Sequence, residues 1–302
     1  MNIIYNKKHD YVMCYVPKAG CSLMRKIYKD FHEDEYSSWD GLNFSSLFVT
    51  GNDKPQVYAT SNKFILVRNP YKRVLSAYYD KFLHVQGSQT TLSVKFVNLF
   101  KLYCITKDAE LVATASDNDE LHRLSPSLKS LIRKAKLPIN LGDVPDDFDT
   151  SFRRYLEFLK FFKANGIFNL EEHHELQCFY PYPGWELDRI LKDIYVMDIE
   201  RLPDGVAEFY GRFLSEGDLA RIKELTAQNL KVHANRNSTA PKKDLRGSIS
   251  ATTHGDEIVK LATETNTLPD HFTMFDPDTE SLFYEIFAKD FTAFNYKRMY
   301  EK

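Results

Sequence analysis

The sequence lacks several features that would indicate particular classes of protein. Its four cysteines form no Cys-x-x-Cys pair, so neither a zinc ribbon nor a disulfide framework is predicted, and reduced thiols are expected. No apolar run reaches the length of a signal peptide or a membrane span, which leads us to expect a soluble, cytoplasmic protein. A net charge of -2 is not the basic excess of a general nucleic-acid binder.

What the sequence does contain is a repeated order of short apolar strands followed by helices. Strands are predicted at residues 11–16, Phe64–Val67 and Asp193–Ile199, and helices from Leu23, from Pro70, at 151–164, near 203–214 and at about 279–292. Asn69 is placed to cap the helix that begins at Pro70. This order predicts an α/β fold with a central, mainly parallel sheet flanked by helices.

The length of the chain fits one large domain. We predict a single domain over residues 1–302 with a helical excursion at about 86–150. Residues 236–256 are polar and are predicted to form a mobile loop. Two basic segments, residues 122–136 and the loop segment 242–246, could contact an anionic glycan or cover a nucleotide, although a solvated surface is the simpler interpretation.

The first group of residues with chemical interest is Pro17-Lys18-Ala19-Gly20-Cys21-Ser22, which lies between a predicted strand and a helix. A helix N-terminus offers unpaired N–H groups and a partial positive charge, so it favours an anion. Gly20 allows close approach of a phosphate, Ser22 adds a hydroxyl and Lys18 adds a charge. The order differs from a Walker A loop, in which the lysine comes late. A strand–turn–helix connection with a solvated lysine is the competing interpretation.

The second group is Arg68-Asn69-Pro70, with Ser76 on the helix that follows. It also lies where a predicted strand ends and a helix begins. Ligands of open α/β sheets bind at the carboxyl ends of the strands, where an arginine can pair with a phosphate through two hydrogen bonds. Taken alone, these residues are explained more simply by a capped and solvated helix start.

Together these segments resemble the PAPS-dependent sulfotransferases, where PAPS is 3′-phosphoadenosine 5′-phosphosulfate. YVPKAGCS is similar to the family's 5′-phosphosulfate loop, and LVRNPYKRVLSAYYDKF is similar to its 3′-phosphate element. The most similar branch is the carbohydrate sulfotransferases of the chondroitin and HNK-1 type (sulfotransferase family 2) with their soluble bacterial relatives. Residues 169–183 and 282–296 resemble two later segments of that branch. His174, Leu176 and Asn295 depart from its pattern, whereas Gln177 and Cys178 match it.

The resemblance implies a P-loop NTPase-like sulfotransferase fold and a metal-independent reaction with PAPS as co-substrate. It implies that a sulfuryl group passes to a hydroxyl of an acceptor, expected to be a carbohydrate. Lys18 would be catalytic by stabilising the charge that grows on the leaving phosphate. The resemblance assigns these residues to nucleotide binding: Pro17, Lys18, Ala19, Gly20, Cys21, Ser22, Arg68, Ser76 and Arg236.

A general base must take the proton of the acceptor hydroxyl, and histidine suits that task at neutral pH. The resemblance places His173 in this role because it occupies the position of the family's motif histidine. His32 and His84 are alternative bases, and a structural role for His173 stays open. A zinc site at His173, His174 and Cys178 is less favoured because no second pair of ligands follows.

Two other functions remain open at this point. A P-loop kinase would share the sheet and the anion-binding turn, but the sequence lacks the Walker pattern and the apolar strand with a terminal aspartate that would hold magnesium. A non-catalytic protein that binds a nucleotide or a glycan would keep the fold without turnover. Retention of Lys18, Arg68 and Ser76 favours the enzyme.

Overall fold

The computed structural model describes residues 3–6, 8–32, 62–85, 100, 103–104, 148–164, 176–177, 194–236 and 249–300. Its strands are β1 (Ile3–Asn6), β2 (Tyr11–Tyr15), β3 (Asn62–Val67) and β4 (Tyr195–Asp198). Its α-helices include α1 (Cys21–Phe31), α2 (Pro70–Ala77), α3 (Phe152–Ala164), α4 (Leu202–Tyr210), α5 (Glu216–Arg236), α6 (Gly255–Thr265), α7 (His271–Met274) and α8 (Pro277–Phe294). A π-helical turn (Tyr78–Phe82) continues α2, and a 3-10 turn (Ile199–Arg201) precedes α4.

The strands form one sheet in the order β1-β2-β3-β4. β2 pairs with β3 and β3 pairs with β4 in parallel, whereas β1 pairs with β2 in antiparallel orientation. The predicted α/β class with a mainly parallel sheet flanked by helices is therefore confirmed. The central strands are near-continuous apolar runs because a parallel sheet is covered on both faces.

The chain divides into two compact units, and the sheet belongs to the first. This unit comprises Met1–Val74, Leu176–Lys242 and Phe287–Glu301. Alternate residues of β2 enter two different buried clusters, Tyr11 and Met13 in one and Val12 and Cys14 in the other. This alternation is the period of two that a strand imposes on its side chains. Burying each large apolar side chain contributes roughly 1.5–3 kcal/mol, so both clusters stabilise the sheet.

The second unit, comprising Leu75–Glu175 and Lys243–Ile286 with the terminal Lys302, is held by aromatic packing. The ring of Tyr78 lies 5.1 Å from that of Tyr155, and Phe152 meets Phe275 edge to face at 5.2 Å. The Tyr78 hydroxyl donates a 2.7 Å hydrogen bond to the Thr150 carbonyl, and burial raises its pKa well above the ordinary value. A buried hydroxyl needs such a partner, so this bond fixes the ring within the cluster.

Several expectations can be compared with these elements. The predicted strands and the helices from Leu23, from Pro70, at 151–164 and at about 279–292 are confirmed. The helix expected near 203–214 ends at Tyr210, and α5 was not predicted. Residues 237–248 of the predicted loop and most of the predicted excursion lie outside the described residues, so the single-domain prediction stays a prediction. Within the described residues, no helix is long and apolar enough to cross a membrane.

Candidate functional site

Two loops of the first unit meet at the carboxyl ends of adjacent parallel strands. β2 and β3 pair as far as Tyr15 and Leu66, and the loops leave the sheet directly after them. Arg68 Nη1 donates a 3.1 Å hydrogen bond to the Lys18 carbonyl oxygen. Parallel neighbours place their carboxyl ends at one edge, which explains this meeting. The structure therefore brings Lys18 and Arg68 together at this edge of the sheet.

A second arginine also binds the first loop. Arg73 Nε donates a 2.9 Å hydrogen bond to the Pro17 carbonyl oxygen. Arg73 is only 2% exposed, although helical periodicity places it on a different face of α2 from the apolar stripe. Helical periodicity identifies α2 as amphipathic, but it cannot reveal that a loop distant in sequence supplies a carbonyl to this side chain. Two consecutive carbonyls, those of Pro17 and Lys18, thus accept from two arginines.

The backbone of the first loop is left-handed at two positions. Lys18 has a φ of 65° and Gly20 has a φ of 82°. A Cβ at Gly20 would lie 2.5 Å from Ile199 Cδ1, so any other residue there would require the Ile199 side chain to move. The left-handed region is costly for residues with a Cβ, which identifies Gly20 as a structural requirement of this loop.

The start of α1 provides donors for an anion. Helix geometry leaves the amides of Cys21, Ser22 and Leu23 without intrahelical acceptors, whereas the Met24 amide already bonds to the Gly20 carbonyl. The Ser22 side chain is exposed, as a ligand-binding hydroxyl must be. The Ala19 amide, expected to bind the nucleotide, instead donates to the Val16 carbonyl at 3.1 Å. Anion binding through backbone amides is therefore available from α1 and not from Ala19.

The second loop is fixed at the start of α2. Asn69 Oδ1 accepts from the Tyr71 amide at 3.0 Å and the Lys72 amide at 3.4 Å, which confirms the predicted cap. Gln177 binds the main chain of Arg68 on both sides, through its carbonyl oxygen and its amide nitrogen, each at 2.9 Å. Sequence reasoning placed Gln177 on the acceptor side of the resemblance and missed this contact.

An acidic pair, Asp198 and Glu200, lies against the same loop. Glu200 Oε2 accepts from the Asn69 amide at 3.2 Å, and Oε1 lies 3.9 Å from Arg68 Nε and 3.6 Å from Lys72 Nζ. Burial favours a higher pKa for Glu200, but these donors and cations outweigh it and hold its pKa below the ordinary value. The pKa of Asp198 is raised, chiefly by burial and then by neighbouring Glu200. Glu200 is therefore the charged member of the pair.

Burial and two neighbouring charged residues act on the pKa of Arg68. Burial lowers its pKa from the ordinary value, Glu200 opposes that effect and Arg73 adds to it. The Arg68 side chain keeps 31% of its surface exposed, so its guanidinium remains reachable from solvent. Lys18, Arg68 and Lys72 together with the start of α1 form a set of donors and cations suited to phosphate and sulfate groups.

The alternative base His32 does not fit that role. It lies at the end of α1 opposite to the loop, about 16 Å away along a helix of 11 residues. It is 3% exposed, and its ring accepts or donates at 2.9 Å with the Tyr11 hydroxyl and at 3.2 Å with the Asn6 amide. Burial, with smaller effects of nearby charges, lowers its pKa to about 3. His32 is a structural residue of the core.

Other predicted residues lie elsewhere or outside the described part of the chain. Ser76 lies on α2 with a half-buried side chain and belongs to the second unit, as does His84, whose pKa is lowered chiefly by burial. Arg236 ends α5 and its side chain is not described. His173, Cys178 and the basic segments 122–136 and 242–246 lie outside the described residues. The roles assigned to these residues stay predictions.

Comparison with known proteins relates the first part of the chain to a family. Residues 1–120 match the family model described as the sulfotransferase family, a span that contains both loops of the site. No curated protein and no solved structure matches the chain. Among the residues that the structure describes, no group of three or more His, Cys, Asp and Glu side chains is arranged to hold a metal ion.

Proposed function

Because the chain carries its sulfotransferase-family match over residues 1–120, we propose that it transfers a sulfuryl group from PAPS to a hydroxyl of a carbohydrate acceptor. The observation that carries this proposal is the hydrogen bond that joins the loops of Lys18 and Arg68 at one sheet edge. PAPS carries anionic groups on both its 5′ and 3′ positions. Two joined anion-binding elements match that distribution of charge.

The first loop suits the 5′-phosphosulfate. The free amides at the start of α1 and the exposed hydroxyl of Ser22 offer donors to its oxygens, and the left-handed Gly20 brings the backbone close. The Pro17 and Lys18 carbonyls, which would repel an anion, each accept a hydrogen bond from an arginine, Arg73 and Arg68 respectively.

The second loop suits the 3′-phosphate. Arg68 offers a planar guanidinium with several N–H donors. Lys72 is close to Arg68, since both side chains lie beside Glu200. Ser76, four residues after Lys72 on α2, is the hydroxyl that the resemblance assigns to the same phosphate. A donor that lacks the 3′-phosphate would leave Arg68 and Lys72 paired with Glu200 and unused in nucleotide binding.

The transfer needs one bond to form and one to break. The acceptor oxygen attacks the sulfur in line with the bridging oxygen, the bond between sulfur and that oxygen breaks, and its electrons pass to the 5′-phosphate of adenosine 3′,5′-bisphosphate. Lys18 stabilises this growing charge. The acceptor proton passes to the general base, for which we propose His173. The test of this assignment is a pH-dependent limb in the wild-type rate that His173→Ala should lack.

The carbohydrate acceptor rests on the resemblance of residues 169–183 and 282–296 to one branch of the family. In the described part of these segments, Gln177 and Asp290 contact each other through a 3.0 Å hydrogen bond from the Gln177 amide. The two segments that carry the branch resemblance therefore meet in the first unit. A sulfate-transfer screen over glycans, lipids and small alcohols identifies the acceptor.

Nucleotide binding tests the proposal. Calorimetry should give tighter binding of adenosine 3′,5′-bisphosphate than of 5′-AMP, and Arg68→Ala should reduce that preference about tenfold, because a charge-assisted contact is worth about 1.5–3 kcal/mol. Arg201→Ala is the matched control, since Arg201 is exposed and pairs with Asp204 at 3.4 Å. Equal affinity of the wild type for both nucleotides contradicts the proposal. Preferential, magnesium-dependent binding of ATP also contradicts it and favours a kinase.

A further inference from the structure

Gln177 and Arg68 are joined by a paired set of hydrogen bonds. Gln177 Oε1 accepts from the Arg68 amide, and Gln177 Nε2 donates to the Arg68 carbonyl, each at 2.9 Å. This is the pairing that a neighbouring strand would give, supplied here by one side chain. It occurs at the residue directly after β3, where strand pairing with β4 has ended at Val67.

Gln177 is itself held from a second direction. Its own amide donates a 3.0 Å hydrogen bond to Asp290 Oδ2, and both residues are 0% exposed. A buried carboxylate needs hydrogen-bond partners, so Asp290 strongly favours this arrangement. The Asp290 position lies on α8, which therefore reaches Arg68 through a single intervening residue.

The guanidinium of Arg68 has two further contacts, a hydrogen bond to the Lys18 carbonyl and an ion pair with Glu200. These contacts orient the Arg68 side chain, but the position of its guanidinium also depends on the position of the Arg68 main chain. Of the Arg68 contacts described, those of Gln177 fix the main chain. Binding sites need their groups held within about 0.5 Å of the productive position. The position of the Arg68 main chain therefore matters as much as the orientation of its guanidinium.

We propose that Gln177 is a positioning residue that sets the main chain of Arg68 for recognition of the 3′-phosphate. This inference rests on the proposed function, since it assumes that Arg68 binds that phosphate. Gln177 acts through Arg68 and not on the reacting atoms. Its loss weakens the preference for a 3′-phosphorylated nucleotide more than it weakens binding of the 5′-phosphate, which the first loop provides.

Two variants separate positioning from a merely structural role. Gln177→Met keeps the volume and removes both hydrogen bonds. Gln177→Glu keeps the shape and replaces the donor with a carboxylate that repels the Arg68 carbonyl. Because burial raises the pKa of a carboxyl group, this glutamate takes up a proton as the pH falls and can then donate again. Asn229→Ala is the control, because Asn229 is a buried amide of the same unit that bonds to Asp30 and the Leu225 carbonyl.

The experiment measures, by calorimetry, the affinity ratio of adenosine 3′,5′-bisphosphate to 5′-AMP, with thermal unfolding to establish the folded fraction. We expect Gln177→Met to lower this ratio about tenfold, the effect of a lost charge-assisted contact. Gln177→Glu lowers it at pH 8 and recovers toward the wild-type ratio at pH 5.5, each value being taken relative to wild type at that pH. Asn229→Ala is less stable and keeps the ratio.

The outcomes are distinct. A wild-type ratio above one that survives in folded Gln177→Met overturns the positioning role and leaves the proposed function intact. A Gln177→Glu ratio that equals the wild-type ratio at pH 8 also overturns it, because the lost donor then has no effect. A wild-type ratio of one contradicts the proposed function itself, and the inference falls with it.

Discussion

Arg68 Nη1 lies 3.1 Å from the carbonyl oxygen of Lys18, so the strand-end loops of β2 and β3 are joined by a direct hydrogen bond. A charge-assisted bond of this kind is roughly twice as strong as a neutral one. This bond therefore restrains the two loops from moving independently. One carries Lys18, the proposed catalytic residue, and the other carries Arg68, proposed to bind the 3′-phosphate. The distance between the two anion sites is set before any nucleotide binds.

The left-handed glycine of the first loop gives a stability prediction. Gly20→Ala places a Cβ 2.5 Å from Ile199 Cδ1 at a φ of 82°, so we expect the free energy of unfolding to fall by about 1–2 kcal/mol or more. Gly217→Ala is the matched control, because no atom lies within 4 Å of its Cβ position in α5. It should be neutral or stabilise by up to about 1 kcal/mol. Urea unfolding measures both, and equal effects would contradict the assigned loop geometry.

Much of this architecture could be predicted, since local patterns determine it. The buried run of β2, the cap at Asn69 and the apolar stripe of α8 all depend on neighbours in sequence. The meeting of Lys18 with Arg68 also followed, because parallel strands end at one edge.

What could not be predicted depends on contacts between distant segments. Helical periodicity does not predict that Arg73 is buried. Its partner, the Pro17 carbonyl, is 56 residues away in the sequence. Gln177 and Glu200 reach Arg68 and Asn69 across more than 100 residues, and neither spacing nor periodicity contains that information. The short β1 was missed for a similar reason, since its pairing with β2 defines it.

In the proposed complex, Glu200 would compete with the 3′-phosphate for Arg68 and Lys72. Glu200→Gln removes a negative charge beside Arg68 and Lys72, so adenosine 3′,5′-bisphosphate should bind about two- to fivefold more tightly, as expected for a partly exposed ion pair. Binding of 5′-AMP should change less. Glu224→Gln, an exposed change of equal charge on α5, should leave both affinities unchanged. Weaker binding of adenosine 3′,5′-bisphosphate to Glu200→Gln would show that Glu200 supports the site instead of competing for it.

His32 gives a pH dependence of stability. Its pKa is about 3 in the folded protein against an ordinary 6.5, so between these values the unfolded chain binds the proton and the folded chain does not. The contribution of His32 to stability is therefore constant above about pH 6.5 and falls as the pH drops, by up to about 1.4 kcal/mol per unit. His32→Gln should have a shallower slope in this window. Urea unfolding from pH 7 to 4.5 measures it, and identical slopes would contradict the burial of a neutral imidazole.

The central claim is that the loop of Lys18 transfers sulfate from PAPS, and the most direct test is turnover with labelled PAPS over a panel of glycan acceptors. The wild-type protein should transfer label to a glycan. Lys18→Ala should lower kcat on the order of a hundredfold, because removing one stabiliser of transition-state charge has that effect, while calorimetry finds adenosine 3′,5′-bisphosphate affinity largely retained. Wild-type protein that binds this nucleotide but transfers no label to any hydroxyl acceptor, or Lys18→Ala with full turnover, would contradict the account.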